Sequence, residues 1–492
     1  MGGRGEKFFA RTVVIRNCKG GRSATPTQNQ GEDDMKKLWG GRFKGDLDDS
    51  AKVFSYSINV DGALLPYDIQ NNIAHVKTLR KAKVLTSDEE KKLIAGLKWT
   101  GEHLAKEDLR PMQLEVEDIH TLIQMTLEKK VGTLAKKLHT ARSRNDQVTT
   151  STKLYLKDKL NEALNLLDAY QKGLLTLAKK GKDIVVPGYT HLQRAQTVLF
   201  SHHILAYLEM AERDKGRLRD ALKRMDEMPL GSGAMAGLAF DLDREFTAKE
   251  LGFSSICANS MDAVSSRDYI AEILSVIAIM FMHFSRLSED MILWSSQEFK
   301  FIEISEGFAT GSSIMPHKKN ADMFELTRGK AGKAYGNLIS LLTMMKGLPL
   351  TYNRDMQEDK EPLFSSIELL LSALQVLSKM VAKISVCKEV CKTASGDSFL
   401  YATDLMDYVV KKGVPLKDAH SLVGEIVVYA LDNKKALNAL SLKELKQFSS
   451  KIEKDALDIF AAEASIKKRK TFGSTNPAMV KKMLDKWAKK IK

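Results

Sequence analysis

Gly311-Ser312-Ser313-Ile314-Met315-Pro316-His317-Lys318-Lys319-Asn320 lies between two long helical patterns, and the fold turns on its reading. Gly and Ser favour a mobile loop, and Pro316 argues against an uninterrupted helix. Hydroxyls beside Lys318 and Asn320 suit a loop that closes over an anion and carries a proton-transfer group. On composition alone a basic surface turn fits equally well.

Three further stretches share this chemistry. Residues 138–147 read Leu-His-Thr-Ala-Arg-Ser-Arg-Asn-Asp-Gln. Their guanidiniums and short polar groups can make directional bonds to carboxylates, or simply start a helix. Residues 187–196 read Pro-Gly-Tyr-Thr-His-Leu-Gln-Arg-Ala-Gln. Here His191 is the natural proton carrier near neutral pH, although a lone His is more often structural. Residues 352–360, Tyr-Asn-Arg-Asp-Met-Gln-Glu-Asp-Lys, offer Tyr, Gln and Lys to a charged ligand, or a charged entry to a helix.

Between these stretches the pattern is helical. Long helices are expected over 148–180, 195–225, 263–299 and 363–390, with no alternating strand series. Helices beyond about 25 residues suggest a bundle whose core continues into partner subunits. Shorter helices are expected over 68–82, over 115–127 and after the Thr86 cap. Others are expected over 402–410, 417–433 and 441–448, and after Asn476-Pro477. Four units follow: 1–34, an unstructured leader; 35–143, an N-terminal helical domain; 144–393, the central long-helix bundle with the loop; and 394–492, a small C-terminal helical domain.

Whole-chain numbers narrow the function. At 492 residues the chain exceeds one ordinary core. Its four cysteines form no disulfide framework and suit a reducing compartment, so a cytoplasmic location is expected. The leader admits organelle targeting as the alternative. The charge of +14 favours anionic partners, but no finger, RNP or glycine-arginine signature supports nucleic acid. The most apolar run, 273–284, is about 18 Å long as a helix, which favours a buried core helix over a membrane span.

Together the four stretches resemble the argininosuccinate lyase family of the fumarase/aspartase superfamily, over essentially 38–489. The opening Leu38-Trp39-Gly40-Gly41-Arg42-Phe43 is similar too, and the 352–360 element separates this family from adenylosuccinate lyases, fumarases and aspartases. The resemblance implies an all-α fold and reversible β-elimination of argininosuccinate to arginine and fumarate. It implies a homotetramer whose active sites each draw on three subunits, with no metal and no cofactor.

Residue roles carry over in the same way. Ser312 is expected as base, His191 as acid or relay polarised by Glu325, and Lys318 with Asn320 as stabilisers of the carbanion-like intermediate. Ser143, Arg144, Asn145 and Thr190 are expected on the fumaryl side. Tyr352, Gln357 and Lys360 are expected on the arginine side, with Ser57 as a further contributor. Departures from the family pattern are Ala141 for Gly, His317 for Gln, Ala321 for Pro, Gln124 for Glu, Ser151 and Ser266 for Asp, and Leu238 for Thr. Competing readings are adenylosuccinate lyase or another fumarate-releasing lyase, and a non-catalytic, crystallin-like protein on the same scaffold.

Overall fold

The computed structural model describes residues 46–109, 112 and 115–491. The expected leader and the 38–43 opening lie outside the described residues.

Helix α1 (Leu65–Lys81) and α2 (Ser87–Leu104) form an antiparallel pair, and α2 begins with a reciprocal capping box between Thr86 and Glu89. Helix α3 (Ile119–Val131) starts four residues later than its pattern suggests, because Asp118 caps it by accepting from Thr121 N. Apolar positions Val76, Leu79, Leu93, Leu97, Ile123 and Leu127 join one core with the long helices.

Five long helices follow: α4 (Arg144–Lys180), α5 (Phe200–Met225), α6 (Asp268–Ser295), α7 (Asp322–Met345) and α8 (Lys360–Lys383). Contacts at their ends fix the directions. Lys180, ending α4, donates to Ala382 O and Ile384 O at the end of α8 (2.8 and 3.0 Å). Arg267, before α6, pairs with Asp359, before α8. Helices α4, α6 and α8 therefore run one way, while α5 and α7 return. Helix α6 is long and apolar enough to cross a membrane, yet Ile270, Ile273, Ile277, Met280 and Phe281 are fully buried in the bundle.

Three expectations need correction. Residues 195–199 are not helical: β1 (Val185–Thr190) pairs antiparallel with β2 (Gln193–Leu199), and α5 starts only at Phe200. Three short two-stranded pairings occur among the described residues, small additions to an otherwise helical fold. The 263–299 pattern breaks at Ser266, whose backbone is extended (φ −64°, ψ 132°), and its last residues leave the helix at Ser296. The 363–390 pattern ends at Lys383, where the chain turns extended and Ser385 and Val386 pair with Glu303 and Ile302.

A second core gathers Leu405 and Val409 of α9 (Ala402–Lys411) with Val423 and Ile426 of α10 (Leu416–Asp432) and Leu437, Leu445 and Ile459. The terminal helix α11 (Pro477–Lys490) returns to the bundle, where Trp487 Nε1 donates to Glu209 at 3.0 Å.

Helices α4 and α8 approach closely at Gly173, where a Cβ would stand 2.7 Å from Ser378 O and 2.8 Å from Val381 Cγ2. At Gly216 on α5 a Cβ meets nothing within 4 Å. Gly173→Ala should therefore destabilise, overpacking of about 1–3 kcal/mol outweighing the gain in helix propensity. Gly216→Ala should stabilise by about 0.5–1 kcal/mol. Denaturant midpoints of the two variants check the opposite signs.

Candidate active site

Four helix N-termini meet at one end of the bundle. They belong to α3, α4, α6 and α8, and each brings a positive dipole end. Asp118 both caps α3 and holds Arg144, the first residue of α4, at 3.0 Å. Arg144 also donates to Gln147 Oε1 (2.9 Å) and Thr121 Oγ1 (3.1 Å), which fixes its guanidinium. Ser143 caps α4 in a box with Asp146, whose other oxygen accepts from Gly231 N and Gly233 N (3.0 and 2.8 Å). Asn145 Nδ2 donates to Ala234 O at 3.0 Å, so the 231–234 loop is pinned to the start of α4.

Ser57 reaches the same end and donates to Asp61 Oδ2 at 2.6 Å. Asp61 is 1% exposed and accepts Ile119 N at 3.1 Å. Burial first, then repulsion from Asp118, pushes its carboxyl up to about 6, while His120, Ser57 and Lys360 pull the other way. Lys360 Nζ lies 3.0 Å from Asp359 Oδ1. Gln357 donates to Ser55 O (2.8 Å), and Arg354 bonds Ser55 O and Glu117 (both 2.9 Å). Tyr352 is largely buried next to Lys360 and Arg267, and burial raises its hydroxyl.

Behind this face Asp68, fully buried, accepts from Ser151 Oγ (2.9 Å) and Gln147 Nε2 (3.0 Å) and lies 2.9 Å from His120 Nδ1. Burial opposes its ionisation, but His120, Arg142 and Ser151 outweigh it and hold the carboxyl low. Ser151 thus supplies a donor where Asp was expected; a carboxylate there would face Asp68.

The opposite end carries the rest. Thr190 and His191 are exposed at the tip of the β1–β2 hairpin, whose turn residues His191 and Leu192 both have positive φ (55° and 58°). Such a turn matches the twist of the strands but strains non-Gly residues. Beside it a cavity of about 640 Å³ is lined by His191, Tyr189, Trp294, His203 and Asp290. His203 Nε2 and Tyr207 Oη lie 2.6 and 2.5 Å from Asp290 Oδ2.

The 311–319 loop leaves this same end, above α7. Its neck is clamped by paired backbone bonds between Thr310 and Asn320 (3.3 and 2.8 Å) and by Lys319–Glu303 (3.0 Å). Ser312 Oγ accepts from Ile314 N (3.3 Å) and Met315 N (3.1 Å). Donors aimed at a hydroxyl oxygen favour its anionic form. Lys318 is exposed, Asn320 Nδ2 donates to Gly311 O at 3.3 Å, and Glu325 is exposed on the first turn of α7.

One chain therefore gathers Ser57, Ser143, Arg144, Asn145, Tyr352, Gln357 and Lys360 at one end. Thr190, His191, Ser312, Lys318, Asn320 and Glu325 lie at the other. The two sets are separated by the 37 residues of α4, about 55 Å. Within a chain, no hydrogen bond or ion pair among the described residues joins Glu325 to His191. The sequence reading missed Asp61, Asp68, Asp118, His120, Arg267 and Asp359. The available signals were Asp118 at a cap position and Asp359 directly before Lys360. Among the described residues no three His, Cys, Asp or Glu side chains gather as a metal would require.

With this geometry in place, the likeness to known proteins is specific. The lyase family model matches residues 41–336, and the argininosuccinate lyase C-terminal model matches 399–467. The argininosuccinate lyase of Caldanaerobacter subterraneus subsp. tengcongensis is 49% identical over 438 residues, covering 89% of this chain and 99% of that one. That of Aquifex aeolicus is 47% identical over 441 residues, 90% and 96% of the two chains. Among solved structures, EDDS lyase in complex with formate superposes with a TM-score of 0.80 at 27% identity, covering 90% of each chain. A class II fumarase from Schistosoma mansoni reaches 0.71 at 15% identity over 84% of this chain and 93% of its own, a likeness of fold.

Two outcomes are expected at this site. Ala141, ahead of α4, sits at φ 55°, which explains why Gly is the expected residue. Relief of about 1–2 kcal/mol of left-handed strain exceeds the entropy glycine adds to the unfolded chain, so Ala141→Gly should raise stability by about 0.5–1 kcal/mol in denaturant titrations. Asp61 holds its proton to about 6 when folded but to about 3.9 when unfolded. Its contribution to stability is then full at low pH and is lost as pH rises from about 4 to about 6. Asp61→Asn should flatten that decline; equal slopes in parent and variant would refute the assignment.

Proposed function

The chain belongs to the argininosuccinate lyase family, and from that premise we propose how its own residues divide the work of the reversible β-elimination of argininosuccinate to L-arginine and fumarate. The reaction removes a proton from the carbon beta to the leaving guanidino nitrogen. That carbon is alpha to a carboxylate, so charge spreads into an aci-carboxylate that fixed cations and amides must hold. Ser312 takes the proton. Its backbone donors and the nearby Lys318 charge make an alkoxide accessible once the loop closes and excludes water. Lys318 and Asn320 face the carboxylate as it gains charge. His191, polarised by Glu325, returns a proton to the leaving nitrogen directly or through water.

Ser143, Arg144, Asn145 and Thr190 hold the fumaryl half. Tyr352, Gln357, Lys360 and Ser57 hold the arginine half. The pooled N-termini at the Lys360 end suit a substrate bearing several carboxylates.

The observation that carries this reading is the separation of the two sets of residues along α4. Neither end alone has both the proton-transfer groups and the full binding set. Further copies of the chain complete it, as a homotetramer with three chains contributing to each site. Helix α7 supports this. It exposes Leu326, Tyr335, Ile339 and Leu342 along a face where Gly329, Gly332 and Gly336 leave room for another helix. Among the described residues Cys257, Cys387 and Cys391 are unpaired, which fits the cytoplasm.

Ultraviolet detection of fumarate release from argininosuccinate and adenylosuccinate in parallel tests the substrate half. Release from argininosuccinate alone is expected. Division of labour is tested by a double-mutant cycle. Ser312→Ala should keep substrate binding while kcat falls at least ~100-fold. Lys318→Ala should lower kcat and kcat/KM together, by roughly 3 kcal/mol in a dry site. The losses should be non-additive, since Ser312 depends on the same positive field. Near-parental turnover of Ser312→Ala would remove it from the base role.

A further inference from the structure

Arg267 and Asp359 form a buried ion pair next to the substrate-facing end, each side chain only 2% exposed. Arg267 immediately precedes α6 and Asp359 immediately precedes α8, so the pair also joins two helix N-termini. Asp359 uses one oxygen for each of two cations. Its Oδ2 accepts Arg267 Nε, and its Oδ1 accepts Lys360 Nζ at 3.0 Å. Arg267 is tied down by Nη1, which donates to Ser266 O at 2.9 Å and Val264 O at 3.4 Å. Ser266 is itself uncharged and donates to Asp268 at 2.5 Å, so it adds no second acid beside the guanidinium.

This arrangement bears on the one cation at this end assigned to the arginine half of the substrate. The Lys360 side chain is 6% exposed, in surroundings where a carboxylate and an ammonium attract strongly. Facing Asp359 alone, Lys360 would form a neutral pair and present little charge to a ligand. With Arg267 present, the group of three carries a net charge of one positive unit. Tyr352 senses the charge of both Lys360 and Arg267, and Asp61 that of Lys360.

We propose that Arg267 is a positioning residue for the lyase reaction, the counter-cation that occupies Asp359 and leaves the Lys360 ammonium free to bind a carboxylate of the arginine half of the substrate. The proposal rests on the reading of Lys360 as a substrate-binding residue. It differs from a purely structural salt bridge in one respect. Removing Arg267 should harm binding because Asp359 is then unopposed, so neutralising Asp359 as well should repair the damage.

The test is steady-state kinetics of fumarate release from argininosuccinate by the full chain and four variants. Lys360→Met should raise KM by at least ~30-fold, the loss of a charge-assisted contact. Arg267→Met should raise KM by about tenfold or more, with a smaller change in kcat. The double variant Arg267→Met/Asp359→Asn should return KM to within about threefold of the parent, a coupling of opposite sign to the single losses. Asp359→Asn alone should leave KM no higher than the double variant does, since the acid bonded to Lys360 is then neutral. Replacing both members of a buried pair is commonly tolerated by a fold, whereas removing one is not. The double variant is therefore decisive even where Arg267→Met does not fold. A double variant that keeps the elevated KM, or fails to fold, would overturn the proposal and leave the pair a structural tie. Parental KM in Arg267→Met would overturn it as well. Parental KM in Lys360→Met would instead remove the substrate-binding reading beneath it.

Discussion

A single uninterrupted helix sets the terms for this protein. The 37 residues of α4 hold Arg144 and Lys180 about 55 Å apart, and no loop movement within one chain can close that distance. Because α4, α6 and α8 are parallel, their positive dipole ends collect at the Arg144 end, while α5 and α7 start from the hairpin and the 311–319 loop and bring theirs to the other end. Chemistry is partitioned accordingly. Fixed donors and buried ion pairs occupy the first end; a strained hairpin turn carrying His191 and a surface loop carrying Ser312 and Lys318 occupy the second. On the proposed division of labour, the binding surface and the proton-transfer groups stand at opposite ends of one bundle, to be joined between copies of the chain.

The helices were legible in sequence wherever apolar periodicity and a cap agreed. Thr86, Ser441 and Asn476 each accept backbone N–H bonds at the starts expected for them. Periodicity failed where a helical pattern ran past a change of backbone. Residues 195–199 are apolar and polar in an order that suits either structure, and a His-Leu turn lacks the Asn-Gly signal of a two-residue hairpin. At Ser266 and at Lys383 neither Gly nor Pro marks the break; packing against Asp359 and pairing with 302–303 impose it.

The site was legible in part for a related reason. Ser312, His191, Lys318 and Lys360 stand in distinctive strings, so motif and resemblance find them together. Asp61, Asp68 and Arg267 are defined by what surrounds them in space. Asp68 collects Ser151, Gln147 and His120, the first two of which lie about 80 positions away. No local pattern encodes such a partnership. Sequence departures make sense only on this scale: Ser151 suits a site already holding Asp68, and Ala141 is tolerated as a strained residue held by the cap that follows it.

On the proposed mechanism, in which the 311–319 loop closes over substrate, its clamped neck gives closure its own thermodynamic character. Fixing a freely moving residue costs roughly 1–2 kcal/mol of backbone entropy, a cost that rises with the length of chain that must be ordered. The Thr310–Asn320 bridge confines that cost to the segment above it. At the tip Ile314 is 84% exposed and Met315 40%, and covering such side chains returns about 1.5–3 kcal/mol each. Those gains leave part of the ordering entropy unmet, so an empty site favours the open loop. Attraction between Lys318 and a bound polyanion supplies the remainder. On that mechanism occupancy itself becomes the trigger for ordering, and the same balance reopens the loop when the bound charge is divided between two smaller molecules.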